Sequence, residues 1–267
     1  MFTKIQHVGY RVNDLDSAVA WFAEKFGGQR AGGGPAQLGG RNAFVRFGQI
    51  EVELLEPLDQ EELPPNTLLM HHVGYVVPDV REAAAELKKK GLKFTADEPA
   101  VNPLSHQVLW LDPATTNDIL IHLTQLPQQT NTIGIGQGLD IDRIIHAGYI
   151  VDDLDEAVAW YVDKFGGEYI GGGMSRRGVS NAFVNFGQVQ VELLEPTDPA
   201  QLGGKRQAMD HVGYVVKDIV AGIRACQNRG LKLGEAGPRY NTINQQLCYF
   251  DTACTWGTQI HLTQLPD

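Results

Sequence analysis

Shifted by 139 positions, the chain lies on itself without a gap. His7-Val8-Gly9-Tyr10 returns as His146-Ala147-Gly148-Tyr149, and Asp14-Leu15-Asp16 as Asp153-Leu154-Asp155. Val52-Glu53-Leu54-Leu55-Glu56-Pro57 returns as Val191 to Pro196, and Ile121-His122-Leu123-Thr124 as Ile260-His261-Leu262-Thr263. Each copy must then be a folding unit or a symmetric half of one. A weaker echo sits inside each copy, where His7-Val8-Gly9-Tyr10 resembles His72-Val73-Gly74-Tyr75, so the chain divides into four modules. The first half is expected over residues 1–127, with modules 1–58 and 71–127, and the second over 142–267, with modules 142–197 and 210–267. The Gln-, Thr-, Asn- and Gly-rich stretch 128–141 reads as their linker.

Each module starts with a short apolar strand that ends at an Asp suited to cap a helix. After Asp14, apolar residues at Leu15, Ala18, Val19, Phe22 and Phe26 keep helical spacing, and Gly27-Gly28 stop the helix. Further strands follow, the clearest being 42–47 and 49–56. The expected fold class is α+β, built of four βαβββ modules; units this small must pair to bury a core.

Acidic residues outnumber basic ones by 32 to 22, a net charge of −10 with no basic run, which argues against nucleic acid or an anionic membrane surface as partner. The first residues lack the apolar stretch of a signal peptide and no long apolar run follows, so a cytoplasmic protein is expected. Cys226, Cys248 and Cys254 are not spaced as a thiolate metal motif and are expected to be free thiols, mostly buried.

Strand parity sorts the polar residues. Val8, Tyr10 and Val12 share the face that packs beneath the helix, and His7 lies opposite. Ile50, Val52 and Leu54 are set against Glu51 and Glu53, Val73 and Tyr75 against His72, and Ile121 and Leu123 against His122 and Thr124. The pattern recurs with His146, Glu192, His211 and His261, and it takes up six of the chain's eight histidines. Three imidazoles and one carboxylate are ligands for a borderline divalent metal, and two such ions per chain are expected, with nickel, cobalt, manganese, iron and zinc all compatible.

Together these motifs, with His71-His72-Val73-Gly74-Tyr75-Val76-Val77-Pro78-Asp79, resemble the vicinal oxygen chelate superfamily, nearest to its methylmalonyl-CoA epimerase and glyoxalase I branch. The resemblance implies open, cupped mixed sheets, each built from two modules, in a fused dimer of two-module halves. It also implies metal ligands at His7, Glu53, His72 and His122, and at His146, Glu192, His211 and His261. The branch usually carries Glu at the last ligand position, where this chain has His122 and His261. A dication with one carboxylate leaves a charge of about +1 rather than zero, which favours an oxyanion.

The implied activity is a metal-dependent isomerase or epimerase that stabilises an enediolate next to a carbonyl of a small oxygenated or acyl-CoA substrate. Glu51, on the face of Glu53, reads equally as a candidate base and as a solvated strand residue; Glu53, Glu192 and a metal-bound hydroxide are the alternative bases, and the counterpart of Glu51 is Gln190. Alternatives are a glyoxalase I-like lyase and a metal-dependent dioxygenase, the latter disfavoured by two intact ligand sets. A metal-free small-molecule binding protein fits least. Each site is expected within one half, the swapped arrangement joining His7 and Glu53 to His211 and His261 being the alternative, and the chain is expected as a monomer or a homodimer.

Weaker features remain. Gly32-Gly33-Gly34 and Gly171-Gly172-Gly173 read as hairpin turns. Arg41, Arg176 and Arg177 read as solvated loop residues, with an anionic substrate the alternative. Asn42 and Asn181, Tyr10 and Tyr149, and Gln107 and Gln246 fit the lining of the cups and strand packing equally well, and Trp21 and Trp160 read as core positions.

Overall fold

The computed structural model describes residues 1–36, 39–58, 63–128, 136, 138–175 and 178–266. Most of the expected linker, and both Arg176 and Arg177, lie outside the described residues. The first half runs β1 (Lys4–Arg11), α1 (Leu15–Phe26), β2 (Gln29–Pro35), β3 (Arg41–Phe47), β4 (Ile50–Glu56), β5 (Leu69–Val76), α2 (Val80–Lys89), β6 (Ala100–Val101), β7 (Gln107–Trp110) and β8 (Leu120–Gln125). The second repeats it as β9 (Arg143–Val151), α3 (Leu154–Phe165), β10 (Glu168–Met174), β11 (Ser180–Asn185), β12 (Gln190–Glu195), β13 (Gln207–Val215), α4 (Ile219–Asn228), β14 (Arg239–Tyr240), β15 (Gln246–Tyr249) and β16 (Gln259–Gln264).

The helix signals act as their chemistry requires. The Asp14 carboxylate accepts from the backbone N–H groups of Asp16 and Ser17, filling two donors that have no partner inside α1. Gly27 ends the helix at φ 69°, a left-handed conformation that glycine adopts without steric cost. Asp79, Asp153 and Asp218 cap the other three helices in the same way.

Each half forms one eight-stranded mixed sheet, in the orders β2-β3-β4-β1-β5-β8-β7-β6 and β10-β11-β12-β9-β13-β16-β15-β14. Both are curled, and the α+β fold of four βαβββ modules stands as expected. Within a module the first strand pairs in parallel with the last, as β1 with β4, and the two first strands join antiparallel, as β1 with β5. Pairing within a half, rather than across halves, follows from that β1–β5 seam.

The apolar faces of both sheets and the helices share one continuous core. Phe2 stacks on Tyr75 at 4.2 Å, the Tyr75 and Tyr149 hydroxyls meet at 3.3 Å across the halves, and Trp21 packs 5.6 Å from Trp256. A fully buried aromatic such as Tyr75 contributes roughly 1.5–3 kcal/mol through area removed from water, and Trp256, partly buried, contributes less. Tyr10 and Tyr149 belong to this core at 0% exposure and line neither cup, because their strand parity is that of Val8 and Ala147. Trp21 is buried and Trp160 is partly so.

The triple glycines are strand, not turn. Gly32 to Gly34 lie in edge strand β2, and a Cβ on Gly33 would meet the Asn42 carbonyl oxygen at 2.3 Å. Gly172 repeats this against Asn181 at 2.2 Å. Glycine is required there by close approach of backbone to backbone at a bulged edge. Gln107 accepts from Arg81 on the outer surface and lines no cleft, and Arg41 is paired with Glu56 and Asp16. All three cysteines are free; Cys226 and Cys248 are buried and Cys254 is half-buried. No helix among the described residues is long and apolar enough to cross a membrane.

Candidate metal centres

Strands β1, β4, β5 and β8 are neighbours at the centre of the first sheet, and their polar faces converge in its hollow. His7 Nε2 lies 2.9 Å from His72 Nε2 and 3.2 Å from His122 Nε2. Glu53 Oε2 is 3.1 Å from His7 Nε2 and 3.2 Å from His72 Nε2. In the second half His146 Nε2 is 3.1 Å from His211 Nε2 and 3.0 Å from His261 Nε2. Glu192 Oε2 stands 3.1 Å from His211 Nε2 and 3.5 Å from His146 Nε2. The six imidazoles are at most 1% exposed.

Four glycines make room for these rings. Gly9 shares the face of His7, and a Cβ there would sit 1.9 Å from His72 Cε1; at Gly148 it would sit 2.0 Å from His211 Cε1. Gly74 and Gly213 give the same clearance to His122 and His261. The repeated His-x-Gly-Tyr thus encodes one imidazole of the cluster and the space for its neighbour.

The donor set fits a divalent cation. Three Nε2 atoms converging at about 3 Å cannot satisfy one another, because each neutral ring offers one lone pair or one proton there. Edges near 3 Å are those between adjacent ligand atoms whose bonds to a common ion are about 2.1 Å. Two of the outer ring nitrogens meet hydroxyls that fix orientation, Thr124 Oγ1 lying 3.0 Å from His122 Nδ1 and Thr263 Oγ1 2.9 Å from His261 Nδ1, whereas His7 Nδ1 and His146 Nδ1 have no hydrogen-bond partner among the described residues. Asn42 Nδ2 donates to Glu53 Oε1 at 2.6 Å and Asn181 Nδ2 to Glu192 Oε1 at 2.8 Å, leaving each Oε2 turned to the imidazoles. Of the residues weighed as cup lining, these two asparagines alone line the clefts.

Electrostatics hold both carboxylates charged and most of the imidazoles neutral; at His211 burial is outweighed by hydrogen bonds and charge from Asp210 and Glu192, which raise that imidazole to about 9. Burial pushes Glu192 up, but hydrogen bonds and charge from His211 and His146 outweigh it and bring the carboxyl to about 2; Glu53 is likewise held well below the usual range. Burial holds His122 and His261 neutral, well below the ordinary imidazole value.

Glu51 has another place than a base needs. Fully buried, it receives Arg46 Nε at 2.7 Å and the Gln6 amide, and its Oε1 lies 4.0 Å from His7 Nδ1, the side of the ring facing away from the cluster. It does not line the cleft. Gln6 reaches it because a register shift between Ile5 and His7 breaks the alternation of β1. Burial raises the Glu51 carboxyl to about 7, with Arg46 opposing.

The copies differ in their outer contacts. His211 Nδ1 lies 2.8 Å from Asp210 Oδ2, whereas the matching His72 Nδ1 faces His71 Nδ1 at 3.0 Å. Trp110 packs tilted against His122 and Tyr249 against His261, each at 4.7 Å between ring centroids. The first cleft, about 460 Å³ with open solvent included, is walled by Pro35, Phe44, Pro103, Val108 and Trp110. The second, about 580 Å³, is walled by Ser175, Arg239, Tyr240, Asn241, Thr242 and Tyr249. Asp210, Trp110 and Arg239 escaped the sequence reading, since matching the halves draws attention to what they share.

A family model of the Glyoxalase/Bleomycin resistance protein/Dioxygenase superfamily matches twice, over residues 6–109 and 145–249. The chain belongs to that superfamily. Human mitochondrial methylmalonyl-CoA epimerase is 28% identical over 129 residues, 46% of this chain and 73% of the relative. Among solved structures, a mutant of 4-hydroxymandelate synthase from Streptomyces coelicolor shares the fold with a TM-score of 0.72 and 15% identity, covering 99% of this chain and 93% of that one. The Mn(II)-bound glyoxalase from Novosphingobium aromaticivorans does so with 0.69 and 16%, covering 98% and 82%.

Proposed function

We propose that the superfamily member described here is a divalent-metal-dependent isomerase or epimerase that moves a proton at a carbon next to a carbonyl, on a small oxygenated or acyl-CoA substrate. The observation that carries this reading is the convergence, twice, of three imidazole Nε2 atoms and one carboxylate oxygen, with all four side chains lining the first cleft and Glu192 lining the second. His7, Glu53, His72 and His122 would hold one cation, and His146, Glu192, His211 and His261 a second. When bound, the cation supplies a Lewis acid that makes the α-proton of a chelated carbonyl compound easier to remove.

The chain's own groups supply the rest. Glu53 and Glu192 are the only acidic residues among the described residues that line the clefts, and the proton acceptor is assigned to their Oε1 atoms. Asn42 and Asn181 orient those atoms through their amides, and are themselves held: Asn42 Oδ1 accepts from the Gly34 N–H at 3.0 Å and Asn181 Oδ1 from Thr242 Oγ1 at 3.1 Å. Glu51 Oε1, 4.0 Å from His7 Nδ1, makes no hydrogen bond to that ring and is given no part in the proton transfer. Trp110 and Phe44 give the first cleft an apolar wall, which strengthens charge interactions beside it. The human epimerase relative supports this choice of reaction class.

The test is incubation of the Mn²⁺-loaded protein with 2-oxo, 2-hydroxy and acyl-CoA compounds in deuterated water. Deuterium gained at the α-carbon supports the proposal. Conversion of a glutathione hemithioacetal to a thioester would replace it with a lyase, and substrate-dependent oxygen uptake with a dioxygenase.

A further inference from the structure

We infer that the second cleft, unlike the first, is built for a substrate with an additional carboxylate, which Arg239 receives; the inference rests on the metal-assisted reading above and names its substrate class. Arg239 opens β14 and lines the cleft, with its guanidinium 5.7 Å over the Tyr249 ring. That ring lies 4.7 Å from the His261 imidazole, so the cation stands one aromatic ring away from the ligand cluster.

The arginine is held in advance. Its Nε donates to Glu235 Oε2 at 2.8 Å, and Glu235 Oε1 accepts the Tyr249 backbone N–H at 2.7 Å, which ties the guanidinium to β15. The side chain is 15% exposed. No hydrogen bond from its two Nη groups is made to any described residue. Two parallel N–H donors on a planar fork match the two oxygens of a carboxylate, and the aromatic face beneath favours the cation.

The first half has no equivalent. At the matching positions stand Ala100 for Arg239, Ala96 for Glu235 and Trp110 for Tyr249. Arginine, its acidic clamp and its platform differ together, while the ligand quartets of the two halves are identical. The halves therefore share one reaction floor under two walls, and the walls select different substrates.

The test compares binding of 2-oxoglutarate and 2-oxobutyrate to the Mn²⁺-loaded full chain by calorimetry. These acids share the vicinal oxygens and differ in the distal carboxylate. The expected result is one 2-oxoglutarate per chain bound about 10- to 100-fold more tightly than 2-oxobutyrate. Arg239→Ala abolishes that preference in a folded protein that still holds Mn²⁺, and Arg239→Lys retains part of it. Equal affinities in the wild type, or a preference that survives Arg239→Ala, overturn the carboxylate subsite and leave the metal reading standing. Failure to bind either acid or Mn²⁺ overturns both.

Discussion

Replacing Gly9 by alanine should empty one metal centre and spare the other. The added Cβ would lie 1.9 Å from His72 Cε1 and 2.5 Å from its Nε2. Ordinary contact begins near 3.4 Å, so the ring must retreat by about 1.5 Å. Metal–ligand distances tolerate about 0.2 Å, so the retreat takes Nε2 out of the coordination sphere. The ring has no easy refuge, since Trp110 and His122 stand 5.0 and 5.3 Å away between centroids. Overpacking at such a site costs about 1–3 kcal/mol, which leaves a large shared core intact. The assay is Mn²⁺ per chain after loading and desalting, with circular dichroism as the folding control. The expected value falls from two to one for Gly9→Ala, to one for Gly148→Ala and to none for the double variant. Two tightly held ions in folded Gly9→Ala would refute the reasoning, because His72 would then be no ligand.

Asp210→Asn should weaken Mn²⁺ at the second centre by about 10- to 100-fold, measured in a His122→Ala background that silences the first, because it removes the carboxylate behind His211. Glu53→Gln together with Glu192→Gln should slow α-proton exchange by about 10²- to 10⁴-fold, the usual worth of a general base, with the rate read by deuterium incorporation. His106 is held down to about 4, by burial first and then by the charges of His7, Arg46 and Lys4. An unfolded chain protonates this residue as pH falls through about 6.5, while the folded protein resists until about 4. Stability should therefore decline across that window as pH falls, and denaturant titrations of His106→Gln should show a shallower decline.

The 139-residue offset made the fold legible, because a gapless repeat with strand parity leaves few ways to arrange eight ligand-type residues. Which half supplies which ligand was not legible. The β1–β5 seam decides it, and a swapped seam would satisfy the same pattern. Parity correctly gave the face of Glu51 but not its depth, and the shift that turns Gln6 toward it is a departure from alternation that no residue type announces. Gly32-Gly33-Gly34 was misread because glycine serves turns and close strand contacts equally, and only the Asn42 carbonyl at its side tells them apart. Asn42 and Asn181 were weighed evenly between packing and the cup, since the length of an amide does not reveal that it ends on Glu53 or Glu192.

The direct test of the central claim is a crystal grown with Mn²⁺ and measured for anomalous scattering. The account predicts two peaks per chain, one among His7, Glu53, His72 and His122 and one among His146, Glu192, His211 and His261, each within bonding distance of all four side chains. Peaks elsewhere, or none at either quartet at saturating Mn²⁺, would contradict it.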